Sequence, residues 1–263
     1  MIQNKSFTVA LLISTYNYPT ALRVCLNSIK RQTLMPNEII IADDGSKNDT
    51  KEVIEQFRKE TSTTVKHVWH EDKGFRLAEI RNRGIIECES DYIIQIDGDI
   101  LLDKHFIEDH VRFAKKGCFV GGSRTRFSED ATKEILQLQD FTPYFTYKGL
   151  EIRENAIRCT WLTPLFFNKK RIIGCNMAYW KKDAMAINGY NEDIIGWGHE
   201  DLEFANRMRN NGIVRRHLKF CAIGYHIWHK FQPRIDDAKH LAYARSIYGS
   251  GIIRCAKGID SHL

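Results

Sequence analysis

Asp97-Gly98-Asp99 follows directly on the apolar run Tyr92 to Ile96. Carboxylates at i and i+2 of an extended chain project to one side, and a glycine between them lets a ligand approach the backbone. Such a pair is half of a hard-cation site, in which magnesium or manganese takes these oxygens and completes its shell from a diphosphate. Asp-Gly-Asp alone also fits a solvated turn; its place at the end of a buried run points to a ligand. His226, in Gly224-Tyr225-His226-Ile227-Trp228-His229-Lys230, is the first choice for an imidazole ligand to the same cation, with His229 close by. Asp43-Asp44-Gly45-Ser46 also ends an apolar run. There Asp43 could serve an Asx turn while Asp44 accepts hydrogen bonds from a base N–H or sugar hydroxyls. Glu200-Asp201 stands at a helix start, where acidic residues complement the helix dipole. Neighbouring helical residues project about 100° apart, so these two carboxylates should take separate tasks, one at a reaction centre and one fixing a ligand or the loop. Trp197, between Gly196 and Gly198, offers a flat apolar face to a sugar ring; a core tryptophan is the ordinary alternative.

Those residues need elements to hold them. The first hundred positions alternate continuous apolar runs with helical periodicity, the pattern of an α/β, Rossmann-like, mostly parallel sheet flanked by helices. Strands are predicted at Val9–Ser14, Glu38–Ala42, Val65–Trp69 and Tyr92–Ile96, with helices from Pro19 to Gln32, after the loop Asp43 to Asp49, and from Arg76 to Cys88. In an open parallel sheet ligands bind beyond the carboxyl ends of the strands, which is where Thr15-Tyr16-Asn17, Asp43-Asp44 and Asp97-Gly98-Asp99 fall. Helix 104–116 and strand 118–121 follow, and residues 124–170 show no clean periodicity, suggesting a lid or acceptor-facing insertion. A strand at 174–180, a helix opened by Glu200-Asp201 and closed by Gly212, an extended stretch from Ile213 to His226, and a helix at about 236–248 complete the reading. With no repeat or linker, the chain reads as one domain over 1–263: a nucleotide-binding half to about 103, an acceptor and catalytic half over 104–230, and a helical extension over 231–263.

Composition sets the remaining bounds. The chain has 263 residues, a net charge of +6, 43% hydrophobic and 27% charged residues, which excludes disorder, collagen and coiled coil. No apolar run approaches the roughly 18 to 20 residues of a membrane span, and the N-terminal run reads as a strand instead of a signal peptide. Seven scattered cysteines without a Cys-x-x-Cys pair argue against disulfides or structural zinc and suit a reducing cytoplasm. Short basic clusters such as Lys169-Lys170-Arg171 and Arg215-Arg216 read as solvated faces, with no nucleic-acid partner, although contact with anionic lipid or an acidic sugar stays open. There is neither Gly-x-Gly-x-x-Gly nor a Walker lysine, so dinucleotide-dependent dehydrogenases and P-loop phosphotransferases lose their phosphate cradle.

Taken together, Val9 to Asn17, Asp43-Asp44-Gly45-Ser46, Arg81-Asn82 within Ala78 to Gly84, and Asp97-Gly98-Asp99 resemble family 2 glycosyltransferases of the GT-A fold. Gly189-Tyr190-Asn191-Glu192 through Gly196-Trp197-Gly198-His199-Glu200-Asp201 to His226 resembles the C-terminal part of β-1,4-galactosyltransferases, polypeptide N-acetylgalactosaminyltransferases and chondroitin-type polymerases. The resemblance implies an enzyme that moves a hexose from a UDP-sugar to a saccharide or lipid-linked saccharide in the cytoplasm, with peripheral membrane contact left open. Thr15, Tyr16, Asn17, Asp43, Asp44, Arg81 and Asp97 would lie along the nucleotide-sugar. Asp99, Asp97 and His226 would hold manganese or magnesium, Asp201 would be the base, and Glu200 and Trp197 would engage the acceptor. His199 stands where galactosyltransferases tend to have glycine. A single displacement inverts configuration. The rival enzyme, a sugar-phosphate nucleotidyltransferase, needs a glycine-rich basic loop where Ser14-Thr15-Tyr16-Asn17 stands; a noncatalytic carbohydrate-binding module would not need both acidic pairs.

Overall fold

The computed structural model describes residues 7–168, 174–230 and 236–263. In chain order its elements are β1 (Val9–Thr15), α1 (Pro19–Ile29), β2 (Glu38–Asp43), α2 (Asn48–Glu60), β3 (Thr64–Trp69), α3 (Leu77–Glu87), β4 (Tyr92–Asp97), β5 (Ile100–Leu102) and α4 (Phe106–Phe113). Then come β6 (Cys118–Gly121), β7 (Ser123–Arg126), α5 (Glu129–Leu138), β8 (Asn176–Trp180), α6 (Lys181–Ala186), α7 (Glu200–Asn210), β9 (Val214–His217), β10 (Ile223–His226) and α8 (Asp237–Ile247). Seven strands form the main sheet in the order β3-β2-β1-β4-β8-β6-β9, parallel except for β8, which runs against both of its neighbours. A sheet buried on both faces needs apolar residues at every position, and β1 and β2 comply. Leu11, Ile13, Ile39 and Ile41 pack with α1 and α2 on one face, while Leu12, Ile40 and Ala42 pack with α3 and, farther along, α7 on the other.

Two registers build the site. Along the main sheet Thr15 pairs with Asp43 and Ser14 with Asp97, so the polar strand ends form one row at the carboxyl edge. The second sheet, β5-β10-β7, starts three residues past Asp97 and sets His226 opposite Ile100, while Ile227 N donates to the Asp99 carbonyl at 3.0 Å. Strand pairing therefore brings a histidine distant in sequence beside Asp99. Gly98 packs closely on β1: its N–H donates to Ser14 O at 2.7 Å, and a Cβ there would make a tight 3.2 Å contact with Ser14 O and the Thr15 side chain.

Within the segment 124–170, the described residues, to 168, are more ordered than their periodicity suggests. They finish β7, contain α5, capped by Ser128 Oγ accepting from Ala131 N, and make short 3-10 turns at Arg153–Ala156 and Thr163–Phe166. Polar residues hide the strand, since Ser123 and Thr125 are buried and the half-buried Arg124 and Arg126 alternate with them on the face that carries His226, and α5 buries only Ala131, Thr132 and Ile135. The stretch Ile213 to His226 is likewise two strands, β9 and β10, divided by a turn with left-handed Phe220 and Ala222. Of the basic clusters, Lys169-Lys170-Arg171 lies outside the described residues, and Arg216 sits over the Phe167 ring at 4.6 Å. All seven cysteines are free thiols, and no helix among the described residues is long and apolar enough to cross a membrane.

Candidate active site

Arg81 is the hub. It projects from the middle of α3, is 1% exposed, and spends its guanidinium on three partners: Ser14 Oγ at 3.1 Å, Asp97 Oδ1 at 2.9 Å and Glu200 Oε1 at 2.9 Å. One buried cation thus ties β1, β4 and the start of α7 together, joining the two acidic pairs. Glu200 and Asp201 divide their work as their helical spacing requires. Glu200 turns inward to Arg81, while Asp201 Oδ2 accepts from Gly174 N at 2.7 Å and its Oδ1 from Leu202 N at 2.7 Å. Burial, reinforced by neighbouring Asp201 and opposed by Arg81, raises the Glu200 carboxyl above its ordinary range.

Gln95, fully buried on β4, sets the position of Gly174. Its amide donates to Gly174 O at 2.9 Å while its oxygen accepts from the hydroxyls of Tyr179 and Tyr190, each at 2.9 Å. A Cβ at residue 174 would stand 3.0 Å from Asp201 Cβ, so the close approach needs glycine. Gln95 and Tyr190 were not singled out as site residues in sequence; an amide inside an otherwise apolar strand was the available signal.

Asp97 and Asp99 part company. Asp97 faces Arg81, whereas Asp99 Oδ2 lies 3.4 Å from His226 Nε2 and 3.4 Å from His229 Nε2. The ligand atoms of Asp99, His226 and His229 fall within 4.8 Å of one another. Asp99 Oδ1 and His226 Nδ1 are buried with no hydrogen-bond partner among the described residues. Burial lifts the Asp99 carboxyl, against the pull of His229, and lifts Asp97 against the pull of Arg81. His226 is pushed down to about 3, first by burial and then by Arg124, which keeps its imidazole neutral and able to ligate. One carboxylate with two imidazoles, and an orphaned oxygen among them, suits a divalent cation such as manganese better than it suits a self-contained ion pair. His229, the second choice in sequence, belongs to this cluster as fully as His226, while Asp97 is held one step away by Arg81.

The remaining expected residues are placed unevenly. Thr15 is buried at the end of β1, and Tyr16 is 47% exposed with its hydroxyl donating to Asp72 Oδ2 at 3.0 Å. Asn17, at φ 43°, locks the strand-end loops: its N–H donates to Ser46 Oγ and its side-chain oxygen accepts from Lys47 N. Asp43 closes the turn by accepting from Ser46 N at 2.8 Å, pairs with His67 at 2.9 Å, and lines a cleft of about 320 Å³ with Lys47, Lys51 and Trp69, away from the cation cluster. Asp44 meets His70 at 2.6 Å and accepts from Arg76 N at 3.0 Å, the entry to α3. Both aspartates therefore have internal duties, although each carboxylate keeps spare lone pairs. Trp197 is half-buried between Gly196 (φ 94°) and Gly198 (φ 109°). His199 keeps the left-handed conformation of a glycine, φ 70°, and its ring meets Asp237 Oδ1 at 3.1 Å.

A helix-flanked parallel sheet whose carboxyl edge gathers two acidic pairs and the cluster of Asp99, His226 and His229 is the GT-A fold of glycosyltransferases. Solved structures share it: the mannosyltransferase PcManGT from Pyrobaculum calidifontis, in complex with GDP-Man and Mn2+, superposes with a TM-score of 0.63 at 14% identity, covering 92% of this chain and 64% of that one. TarS 1–349 from S. aureus, in complex with UDP, gives 0.63 at 16% identity over 97% of this chain and 68% of that one. The chain belongs to glycosyl transferase family 2, whose sequence model matches residues 10–176; that of the N-terminal domain of galactosyltransferase matches 165–230. Curated relatives include validoxylamine A glucosyltransferase of Streptomyces hygroscopicus subsp. limoneus, 25% identical over 78% of this chain and 48% of that protein. Chondroitin synthase of Escherichia coli is 24% identical over 83% of this chain and 34% of that protein. The chain thus spans half or less of the length of these two relatives.

Proposed function

We propose that this domain transfers a hexose of the galactose, N-acetylgalactosamine, glucose or N-acetylglucosamine type from a UDP-sugar to a saccharide or lipid-linked saccharide acceptor. The observation that carries the reading is the cluster of Asp99, His226 and His229, with its unpartnered oxygen, set beside an acidic pair that Arg81 neutralises. A uridine diphosphate donor is supported by the UDP complex of TarS, and a divalent cation, manganese before magnesium, by two imidazoles in the donor set and by the Mn2+ complex of PcManGT. Asp99, His226 and His229 would hold the cation, with Asp97 as a neighbouring charge. When bound, it supplies charge neutralisation for the departing diphosphate.

The chain's own residues do the rest. Thr15, Tyr16 and Asp44 line the uridine end, and Asn17, Asp43 and Arg81 hold those loops and strands in place. Asp201 takes the proton of the acceptor hydroxyl as that oxygen attacks the anomeric carbon, and the stereochemistry expected of one displacement is inversion. Gly174 N and Gln95 fix the Asp201 carboxylate in direction. Trp197 offers a face to the acceptor, and Glu200 acts through Arg81 instead of reaching the acceptor directly. The nucleotidyltransferase alternative gains no support, since no basic residue occupies the turn Tyr16-Asn17-Tyr18 after β1. Contact with a lipid surface is supported by Trp161 and Leu165, 76% and 77% exposed, in the stretch whose Phe166 and Phe167 rings meet the cationic Lys219 and Arg216. The test is a panel of UDP-sugars with manganese, scored for UDP release with and without chelator. Release from one donor, lost on chelation, is expected; no release from any nucleotide-sugar in the presence of acceptor saccharides overturns the reading.

A further inference from the structure

Arg124 is a cation without a counter-ion among the described residues. It lies on β7, where its partner in register on β10 is Gly224, and strand alternation places it on the same face of the small sheet as His226. Its guanidinium is largely withdrawn from water, yet among the described residues it makes one hydrogen bond, from Nη1 to the thiol sulfur of Cys175 at 3.4 Å. Sulfur is a weak acceptor, and a guanidinium carries five N–H donors. No carboxylate among the described residues lies within ion-pair distance of it. Its nearest negative charges, Asp97 and Asp99, raise its proton affinity but are already engaged by Arg81 and by the two imidazoles. Arg126, two residues along the same strand, shows the ordinary solution: it is half-buried and pairs with the Glu151 carboxylate at 3.2 Å. Its other donors keep access to solvent and are open to an anion that enters this volume.

The surroundings say which anion. Arg124 and a cation on Asp99, His226 and His229 would both present positive charge to the same small volume, and they would repel each other unless a multiply charged group lay between them. A diphosphate meets that requirement, and the planar fork of arginine matches phosphate oxygens. Resting on the nucleotide-sugar reading above, we infer that Arg124 binds the diphosphate of the donor, donating charge-assisted hydrogen bonds to the phosphate that carries the sugar, with Cys175 holding the guanidinium in direction. As the bond from the anomeric carbon to the phosphate oxygen breaks, its electron pair stays on that oxygen, and Arg124 stabilises the new charge without giving up a proton. The acceptor oxygen forms the new bond, and its proton goes to Asp201.

The experiment measures affinity for UDP, UMP and uridine by calorimetry at saturating manganese, in the wild type and in Arg124→Gln and Arg124→Lys, with thermal melts alongside. One or two charge-assisted hydrogen bonds correspond to UDP affinity falling about tenfold to a hundredfold in Arg124→Gln. UMP should change far less and uridine not at all, because neither carries the outer phosphate. Arg124→Lys, which keeps charge without the fork and guards against a folding defect, should lie between the two. UDP affinity within about threefold of wild type in both folded variants, or equal losses for UDP, UMP and uridine, overturns the inference. Failure of the wild type to bind UDP overturns the nucleotide-sugar reading instead, and the assignment of Arg124 falls with it.

Discussion

Replacing Arg81 by methionine removes the cation that the buried Glu200 and the half-buried Asp97 share. The side chain of Glu200 is 11% exposed and that of Asp97 34%. Breaking a buried ion pair by deleting one partner costs about 3–5 kcal/mol, because the other charge is left desolvated. Asp97 can recover hydration, so little is assigned to it; Glu200 and the orphaned Ser14 hydroxyl set the expected loss near the lower figure, about 3 kcal/mol. Against a total of about 5–15 kcal/mol the variant still folds. In urea, where the slope is about 1–3 kcal/mol per molar, the midpoint should fall by about 1 M or more. Adding Glu200→Gln to Arg81→Met should restore part of the loss, since the amide leaves no unpaired charge, whereas Glu200→Gln in the wild-type background should destabilise. The assay is equilibrium denaturation followed by circular dichroism and tryptophan emission. An Arg81→Met midpoint equivalent to less than about 0.5 kcal/mol of change would show that the three-way bridge carries no weight.

The other predictions address the chemistry. Asp201→Asn should lower transfer by about 10²–10⁴-fold, the usual contribution of a general base, while leaving UDP affinity unchanged; undiminished turnover removes Asp201 from that role. Because Asp99 is raised and His226 is held near 3, acidification should weaken cation-dependent UDP binding as Asp99 takes up a proton, above the ordinary carboxylate value near 3.9. A pH titration of UDP affinity with its midpoint at or below that ordinary value would contradict this. Trp161→Ser with Leu165→Ser should reduce co-sedimentation with vesicles containing anionic phospholipid and leave UDP release in solution unchanged; equal sedimentation of both forms excludes this ledge as a lipid contact.

How far the sequence led depends on which physical signal each part carried. The parallel half was legible because a sheet buried on both faces writes unbroken apolar runs such as Ala10 to Ile13 and Ile39 to Ile41, each ended by polar residues at the carboxyl edge. Helix spacing alone separated Glu200 from Asp201, and the structure turns them to different partners. The second sheet was obscure because its edge strand β7 is Ser-Arg-Thr-Arg, in which polar side chains occupy inward and outward positions alike. Partnerships across the chain were harder still. Nothing local says that Arg81 will be fully buried between two carboxylates, that Asn17 and Asp43 will be consumed by loop hydrogen bonds, or that His229 will stand as near Asp99 as His226 does. His199 illustrates the gap between residue type and conformation: an unexpected side chain in sequence, it keeps the backbone of a glycine, with Asp237 beside its ring.

Manganese binding tests the account most directly. Titrated by calorimetry in the presence of UDP, the wild type should bind one equivalent, and Asp99→Asn and His226→Ala should each weaken that binding by about tenfold or more while the melts show an intact fold. Wild-type affinity for both metal and nucleotide in those variants would mean that Asp99 and the histidines do not hold the ion, and the assignment of the site would have to be abandoned.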